Sequence, residues 1–320
     1  MKIVTLTINP AVDKSTFVDR LEPDHKLRCD APIFEPGGGG INVSRAIQRL
    51  GGESLAYYLA GGSTGNVLSQ LLDTENLTHI PIPSVKWTRE NFAVTERSTD
   101  KQFRFGMPGS VIPDEEWRYS LIKLEKTSPK PEYIVASGSL PRGVPNDYYA
   151  RVAAIATKLG AKLILDTSGE ALQQVVGQGV YMLKPNSNEL SAMAGKESME
   201  WHEKEAFAQE LVRGGMCEVM VVSMGSGGAI LVTKDDVMRT APPVIKPKST
   251  VGAGDSMVAG MVFALAQGWP LRDVLKYGVA AGTATVMLPG SDLCKKEDVD
   301  RIYAWLKEKE NALLNRMQTS

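Results

Sequence analysis

At 320 residues, with 43% apolar and 23% charged side chains, the chain can bury a large core, as one α/β domain or as a domain with an insertion. Lys and Arg (36) nearly balance Asp and Glu (37), so no basic surplus points to nucleic acid or to an anionic membrane, and any anion must be held locally. The three cysteines, Cys29, Cys217 and Cys294, lie too far apart for a C-x-x-C site, and the three histidines make no H-E-x-x-H, which removes the common dithiol and zinc motifs.

The opening run Met1 to Ile8 lacks the long apolar stretch and small-residue cleavage site of a secretory signal and reads as a first strand. Asn9-Pro10-Ala11-Val12-Asp13 then breaks the pattern. The next twenty residues mix β-formers (Thr16, Phe17, Val18) with a charged segment, Lys26-Leu27-Arg28, and read as exposed sheet. Phe34-Glu35-Pro36 leads into Gly37-Gly38-Gly39-Gly40-Ile41-Asn42, where backbone must approach something closely. Val43, Ala46, Ile47 and Leu50 follow at helical spacing, with a Gly51-Gly52 stop. That well-patterned helix argues against a flexible glycine linker. Leu55 to Ala60 and Thr64 to Asn76 form a strand and a helix. Between Val85 and Met107 the pattern alternates again, through Trp87-Thr88-Arg89 and Gln102-Phe103-Arg104-Phe105, as a second piece of exposed sheet.

From residue 133 onward, short apolar runs at 133–136, 162–166, 180–184 and 219–222 alternate with helical segments, the signature of buried parallel strands. Polar residues collect just past their ends, at Ser137-Gly138-Ser139, Asp166, Lys184-Pro185-Asn186 and Ser223-Met224-Gly225, where open α/β sheets bind ligands. Two long helical patterns, about 254–267 and 271–288, complete the core. The longest uncharged apolar run, Ser256 to Leu271, contains Gln, two Gly and a Pro and falls short of the roughly 20 residues that span a bilayer. No membrane segment and a cytoplasmic location are expected.

Chemistry concentrates in Ser249-Thr250-Val251-Gly252-Ala253-Gly254-Asp255-Ser256, which turns an extended segment into a helix and leaves one carboxylate at the turn. Met257, Met261, Val262 and Leu265 place the glycines at the helix N-terminus, where unpaired N–H groups and the dipole favour phosphate. A carboxylate beside a phosphate cradle is electrostatically costly unless it takes a proton from a hydroxyl that attacks that phosphate. A plain capped helix, with Asp as N-cap, competes with this reading for a bare G-x-G-D and less well for the whole octet. No G-x-x-x-x-G-K-[ST], no helix-opening G-x-G-x-x-G and no protein-kinase signature occurs, so the known nucleotide motifs of those kinds are excluded.

The glycine run near the front and the octet near the back resemble the ribokinase-like sugar kinases of the phosphofructokinase-B family. The likeness covers nearly the whole chain. It includes Asn9 to Asp13, Gly138-Ser139-Leu140-Pro141, Lys184-Pro185-Asn186-x-x-Glu189 and Val222-Ser223-Met224-Gly225. Lys26-Leu27-Arg28-Cys29, the four glycines and Trp87-Thr88-Arg89 look most like the minor-type 6-phosphofructokinase subgroup, whereas relatives acting on fructose 1-phosphate or tagatose 6-phosphate usually carry Lys at Gly39.

The resemblance implies a three-layer α/β/α fold with a mostly parallel central sheet (1–11, 35–85 and 108–320) and a small β lid (12–34 and 86–107) that pairs across a homodimer. It implies Asp255 as general base, with the amides of Gly252, Ala253, Gly254 and Asp255 as an anion hole. Asn186 and Glu189, with Asp166, are then the Mg²⁺-associated group; an Asn cap with a first-turn Glu is the alternative reading of that pair. Lys184, Asn186, Ser223, Gly225, Ser249 and Val251 resemble nucleotide-site positions. Asp13, Gly37, Gly38, Asn42 and Ser137 resemble sugar-site positions, and Lys26, Arg28, Arg89 and Arg104 a phosphate clamp. The implied substrates are ATP and a phosphosugar, most closely fructose 6-phosphate, with 1-phosphofructokinase or tagatose-6-phosphate kinase as the alternative. A non-catalytic sugar and nucleotide sensor needs neither Asp255 nor the Asn-x-x-Glu pair, and a nucleoside kinase does not account for the basic residues. The segment Leu288-Pro289-Gly290-Ser291-Asp292 departs from the subgroup and leaves K⁺ activation open, although main-chain atoms of Ser249 and Val251 could form part of a K⁺ site.

Overall fold

A computed structural model describes residues 2–318. The chain begins β1 (Ile3–Thr7), β2 (Ala11–Val18), β3 (Ile33–Gly37), α1 (Gly39–Arg49), β4 (Leu55–Gly61), α2 (Gly62–Thr74), β5 (His79–Ser84), β6 (Arg89–Glu96), β7 (Lys101–Phe105) and α3 (Asp114–Glu125). It continues through β8 (Tyr133–Ser137), α4 (Tyr148–Leu159), β9 (Lys162–Asp166), the short α5 (Glu170–Gln173), β10 (Met182–Leu183), α6 (Ser187–Met193) and α7 (Trp201–Arg213). Last come β11 (Val219–Ser223), β12 (Ala229–Val232), β13 (Val237–Thr240), α8 (Ala253–Ala266), α9 (Leu271–Val286) and α10 (Lys296–Gln318).

Nine strands form the main sheet, in the order β13-β12-β11-β10-β9-β8-β1-β4-β5, parallel from β11 to β5 and closed at one edge by the antiparallel β12 and β13. Alternate residues of each central strand enter opposite cores, as the pleat requires. In β8, Ile134 and Ala136 belong to the core that includes α3, α4 and α7, whereas Val135 belongs to the opposite core, with α1, α8 and α9. Burial on both faces is why these strands read as continuous apolar runs. The expected α/β/α layering is thus observed. The β12–β13 hairpin, two four-residue strands of which only the first is an apolar run, is not anticipated from the sequence.

Packing of α8 on α9 sets the position of the octet. A Cβ on Gly260 would lie 2.9 Å from Ala281 Cβ, and one on Gly278 only 2.4 Å from Met261 Cγ, so glycine lets the two helices approach closely. Thr285 Oγ1 donates to the buried Ser256 Oγ at 2.7 Å and pins the first turn of α8.

A second sheet, ordered β3-β2-β6-β7, stands apart from the main one. Its last strand is exposed along its whole length, and Phe17, Ile33, Phe34, Phe103 and Phe105 leave large apolar area in solvent. The expected sheet does not extend through Lys26 to Arg28, because residues 19–32 are irregular. Pro23 has no N–H for a ladder and Asp24 sits at φ 60°. No helix among the described residues is long and apolar enough to cross a membrane.

Candidate active site

The site lies beyond the carboxyl ends of the parallel strands. Gly252, at φ 72°, is the N-cap of α8, and a Cβ there would meet Leu293 Cδ2 at 2.6 Å. The first helical bond runs from Ser256 N to Gly252 O at 2.8 Å, so Gly254 and Asp255 belong to the first turn, whose amides face outward. Asp255 meets α1 there: Asn42 Nδ2 donates to its Oδ2 at 2.9 Å across 213 residues of sequence. Burial, and next the nearby charge of Asp166, push the Asp255 carboxyl up to about 7 against the Asn42 hydrogen bond and the Lys184 ammonium. A carboxyl poised near neutrality is suited to accepting a proton from a hydroxyl.

Lys184, 5% exposed, pairs with Asp166 at 3.1 Å at the ends of β10 and β9. Burial alone would lower its pKa; Asp166, Glu189 and Asp255 together hold it above the usual lysine value. A Cβ on Gly254 would stand 3.6 Å from Lys184 Nζ, so the bare glycine leaves the space between the ammonium and the helix terminus clear.

Two clefts flank this terminus and share Thr250 in their walls. The larger, about 630 Å³, lies between the small sheet and α8 and brings together Asp13, Arg89, Asn91, Arg104 and Ser291. Asn91 Nδ2 donates to Asp13 Oδ1 at 2.7 Å, which fixes a carboxylate in the cleft. Gly37 is bare because Asp13 lies against it: a Cβ would fall 2.4 Å from Asp13 Oδ2. Arg89 donates to the carbonyls of Met107 and Asn9 at 3.1 and 3.2 Å, yet its buried Nε has no partner. Burial holds this guanidinium below the usual arginine pKa despite the nearby charge of Asp13, so a cation is kept partly desolvated with no direct salt bridge. Such a group is worth most against a bound anion. The second cleft, about 340 Å³, is walled by Pro242, Val244 and Ile245 on one side and by Val279 and Val286 on the other, with Ser223 and Gly225 at its end. Its apolar walls suit a flat ring.

Asn186 and Glu189 form a reciprocal capping box at α6: Asn186 Oδ1 accepts from the amides of Asn188 and Glu189, and Glu189 Oε2 accepts from Asn186 N at 2.7 Å. The cap expected as an alternative is therefore present, and it occupies one carboxylate oxygen only. Burial, and then Asp166 against the cap's own hydrogen bond, raise the Glu189 pKa. Among the described residues no three His, Cys, Asp or Glu side chains gather into a cage. Asp166, Glu189 and Asp255 nonetheless crowd negative charge around one lysine, which fits a hydrated divalent ion completed by substrate phosphates.

The other sequence-derived candidates divide. Gly38, at φ 115°, and Gly40 pack against Thr7, which holds the glycine run on the end of β1. Ser137 is 2% exposed and turned behind the loop, its Oγ 2.2 Å from where a Gly39 Cβ would be, so its side chain supports the glycines and does not face the cleft. Ser249 Oγ accepts from Val251 N at 3.2 Å within the turn, and Val251 lines the larger cleft, not the apolar one expected for a nucleotide-site residue. Lys26 and Arg28 are exposed on the irregular 19–32 loop and line neither cleft. Asn91 and Ser291 were missed. Asn91 sits inside an alternating strand like any other polar position; only its pairing opposite Asp13 in the register of β2 and β6 marks it.

Residues 4–298 match the family described as pfkB family carbohydrate kinase. The ATP-dependent 6-phosphofructokinase isozyme 2 of Escherichia coli (strain K12) is 40% identical over 310 residues, 96% of this chain and 99% of that protein. The isozyme 2 of Mycobacterium tuberculosis (strain H37Rv) is 44% identical over 302 residues, 94% of this chain and 89% of that protein. The crystal structure of phosphofructokinase-2 from Escherichia coli in complex with potassium superposes with a TM-score of 0.92 at 40% identity, covering 96% of this chain and 99% of that one.

Proposed function

The chain belongs to the pfkB family of carbohydrate kinases, and from that premise we propose that it transfers the γ-phosphoryl group of ATP to fructose 6-phosphate, giving fructose 1,6-bisphosphate and ADP. The observation that carries this reading is the placement of Asp255 in the first turn of α8, whose Gly252 lines the basic, polar cleft and whose Gly254 lines the apolar one.

In this reading the sugar lies in the larger cleft with its acceptor hydroxyl at Asp255 and its phosphate at the far end, under Arg89 and Arg104. Asp13, oriented by Asn91, holds sugar hydroxyls. Asp255 accepts the proton as the hydroxyl oxygen forms its bond to phosphorus and the bond from phosphorus to the ADP oxygen breaks. The amides of Gly252 to Asp255 and the Lys184 ammonium take up charge on the transferred group, since positioning and preorganised electrostatics supply most of the catalysis in phosphoryl transfer. When bound, Mg²⁺ would be held through water and phosphate oxygens near Asn186, Glu189 and Asp166, where it neutralises phosphate charge. The apolar cleft takes the adenine ring. Gly39 agrees with the 6-phosphate assignment through the resemblance, since relatives acting on fructose 1-phosphate or tagatose 6-phosphate usually carry Lys there, and Ser137 leaves no room for a side chain at this position.

The small sheet acts as a lid, and its exposed phenylalanines pair with a second copy to make a homodimer. Phosphofructokinase-2 of Escherichia coli has been solved with potassium, and a K⁺ site formed by main-chain atoms near Ser249 and Val251 is part of this proposal. ADP release with fructose 6-phosphate, fructose 1-phosphate, tagatose 6-phosphate and fructose tests the assignment. Fructose 6-phosphate should give the highest kcat/KM; preference for fructose 1-phosphate would contradict the substrate but leave the kinase.

A further inference from the structure

Arg45 lies on α1 one turn beyond Asn42 and is only 2% exposed. Its Nε and Nη2 donate to the two carboxylate oxygens of Glu75 at 2.7 and 2.6 Å. Its Nη1 donates to Pro36 O at 3.2 Å and stands 3.5 Å from Asn42 Oδ1. Every edge of the guanidinium is thus assigned, and the edge away from Glu75 faces the glycine run and the residue that touches Asp255. Glu75 is itself fixed at the end of α2, where Gln48 Nε2 donates to the carbonyls of Glu75 and Asn76 at 3.1 and 3.0 Å.

A buried ion pair seldom adds net stability over apolar side chains of similar volume, so this one calls for a reason other than stability. Geometry supplies it. Asn42 has its amide oxygen toward the Arg45 cation and its NH₂ toward the Asp255 carboxylate. A half-turn of the amide would set NH₂ against guanidinium N–H and oxygen against carboxylate, unfavourable at both ends. We propose that Arg45 is a positioning residue for the general base: held by Glu75, it locks Asn42 in the one amide orientation that donates to Asp255 Oδ2, which leaves Oδ1 to receive the proton.

The inference rests on the reading of Asp255 as the base. Four side chains bear on that carboxyl: Asn42 from α1, Asp166 at the end of β9, Lys184 after β10 and Asp13 from β2. Asp166 and Asp13 oppose ionisation, whereas Asn42 and Lys184 favour it. Freeing the Asn42 amide removes one of the two favourable partners, so the base should then need a higher pH to ionise. Without the lock it would also be less well aimed.

Two variants test this: Arg45→Lys, which keeps a cation but loses the planar fork, and Arg45→Met combined with Glu75→Leu, which replaces the pair by apolar side chains. Each is checked for folding by circular dichroism and melting, and kcat/KM for fructose 6-phosphate is then followed from pH 5.5 to 9 beside the unaltered protein. The acid limb should move up by about one pH unit, the order expected for one charge-assisted hydrogen bond. At neutral pH kcat should fall at least about tenfold, as for small misplacements of a reacting group, with KM for ATP unchanged. A folded variant with an unmoved acid limb, whether or not kcat falls, would reduce Arg45 to a structural residue and overturn the proposal. High turnover in Asp255→Asn would instead overturn the base, and the two failures are distinguishable.

Discussion

At Asp255 activity and stability make opposite demands. Its carboxyl is raised to about 7 by burial and by Asp166, above the ~4 of an unfolded aspartate. The fold therefore favours the protonated form. Ionisation costs the ligand-free protein nothing below about pH 4, increasingly more between about pH 4 and 7, and a constant amount above. Catalysis needs the ionised form, so kcat/KM should fall as pH drops through about 7. Asp255→Asn should lower kcat by at least roughly 10²-fold. The same substitution should raise the melting temperature of the ligand-free protein by a few degrees at pH 8 and hardly at all near pH 4, on the order of ~2 °C or more per kcal/mol recovered. Near-normal turnover, or a gain in melting temperature independent of pH, would contradict the assignment. Glu189→Gln should raise the Mg²⁺ requirement more than the phosphosugar KM, because Gln can still accept the Asn186 amide bond and keep the capping box; equal effects would tie Glu189 to the cap alone.

The start of α8 shows how one motif mixes structural with functional glycines. Gly252→Ala places a Cβ at φ 72° and 2.6 Å from Leu293, so it should destabilise the fold by about 1 kcal/mol or more. Gly254→Ala meets only Lys184 Nζ, at 3.6 Å, and Ala is the better helix former. It should leave the melting temperature unchanged or higher while filling the phosphoryl space and cutting turnover at least about tenfold. Melting curves and initial rates on both variants separate the two roles. This helix start, the glycine run and the strands of the main sheet could be read from sequence because local pattern and local structure coincide there. What stayed hidden depends on register or on long-range contact: Asn91 opposite Asp13, the Glu75–Arg45–Asn42 chain, and Ser291, which donates to Glu35 across 256 residues. Composition places Lys26 and Arg28 on strand, but Pro23 and the positive φ of Asp24 put that segment in a loop. The motifs at the two ends of the chain identified the family, and the match over residues 4–298 bears that out.

At the scale of the molecule, the small sheet joins the larger cleft to the outer surface. Arg89, Asn91 and Arg104 point function toward the cleft, while Phe17, Ile33, Phe34 and Phe103 leave an apolar face in solvent. Pairing with a second copy would cover that face. Phe103→Asp should then give a monomer in sedimentation velocity with an unchanged core melting transition and a higher KM for the phosphosugar; a monomeric unaltered protein would contradict the homodimer. Arg89→Ala should raise KM for the phosphosugar much more than for ATP, since Arg89 lines only the basic cleft of the two that meet at Thr250. The central claim is phosphoryl transfer from ATP to the 1-hydroxyl of fructose 6-phosphate at Asp255. Its most direct test is ³¹P NMR of the purified protein with ATP, Mg²⁺ and fructose 6-phosphate, in parallel with Asp255→Asn. The account predicts stoichiometric fructose 1,6-bisphosphate and ADP from the unaltered protein and almost none from the variant; equal product from both, or ADP without a phosphorylated sugar, would contradict it.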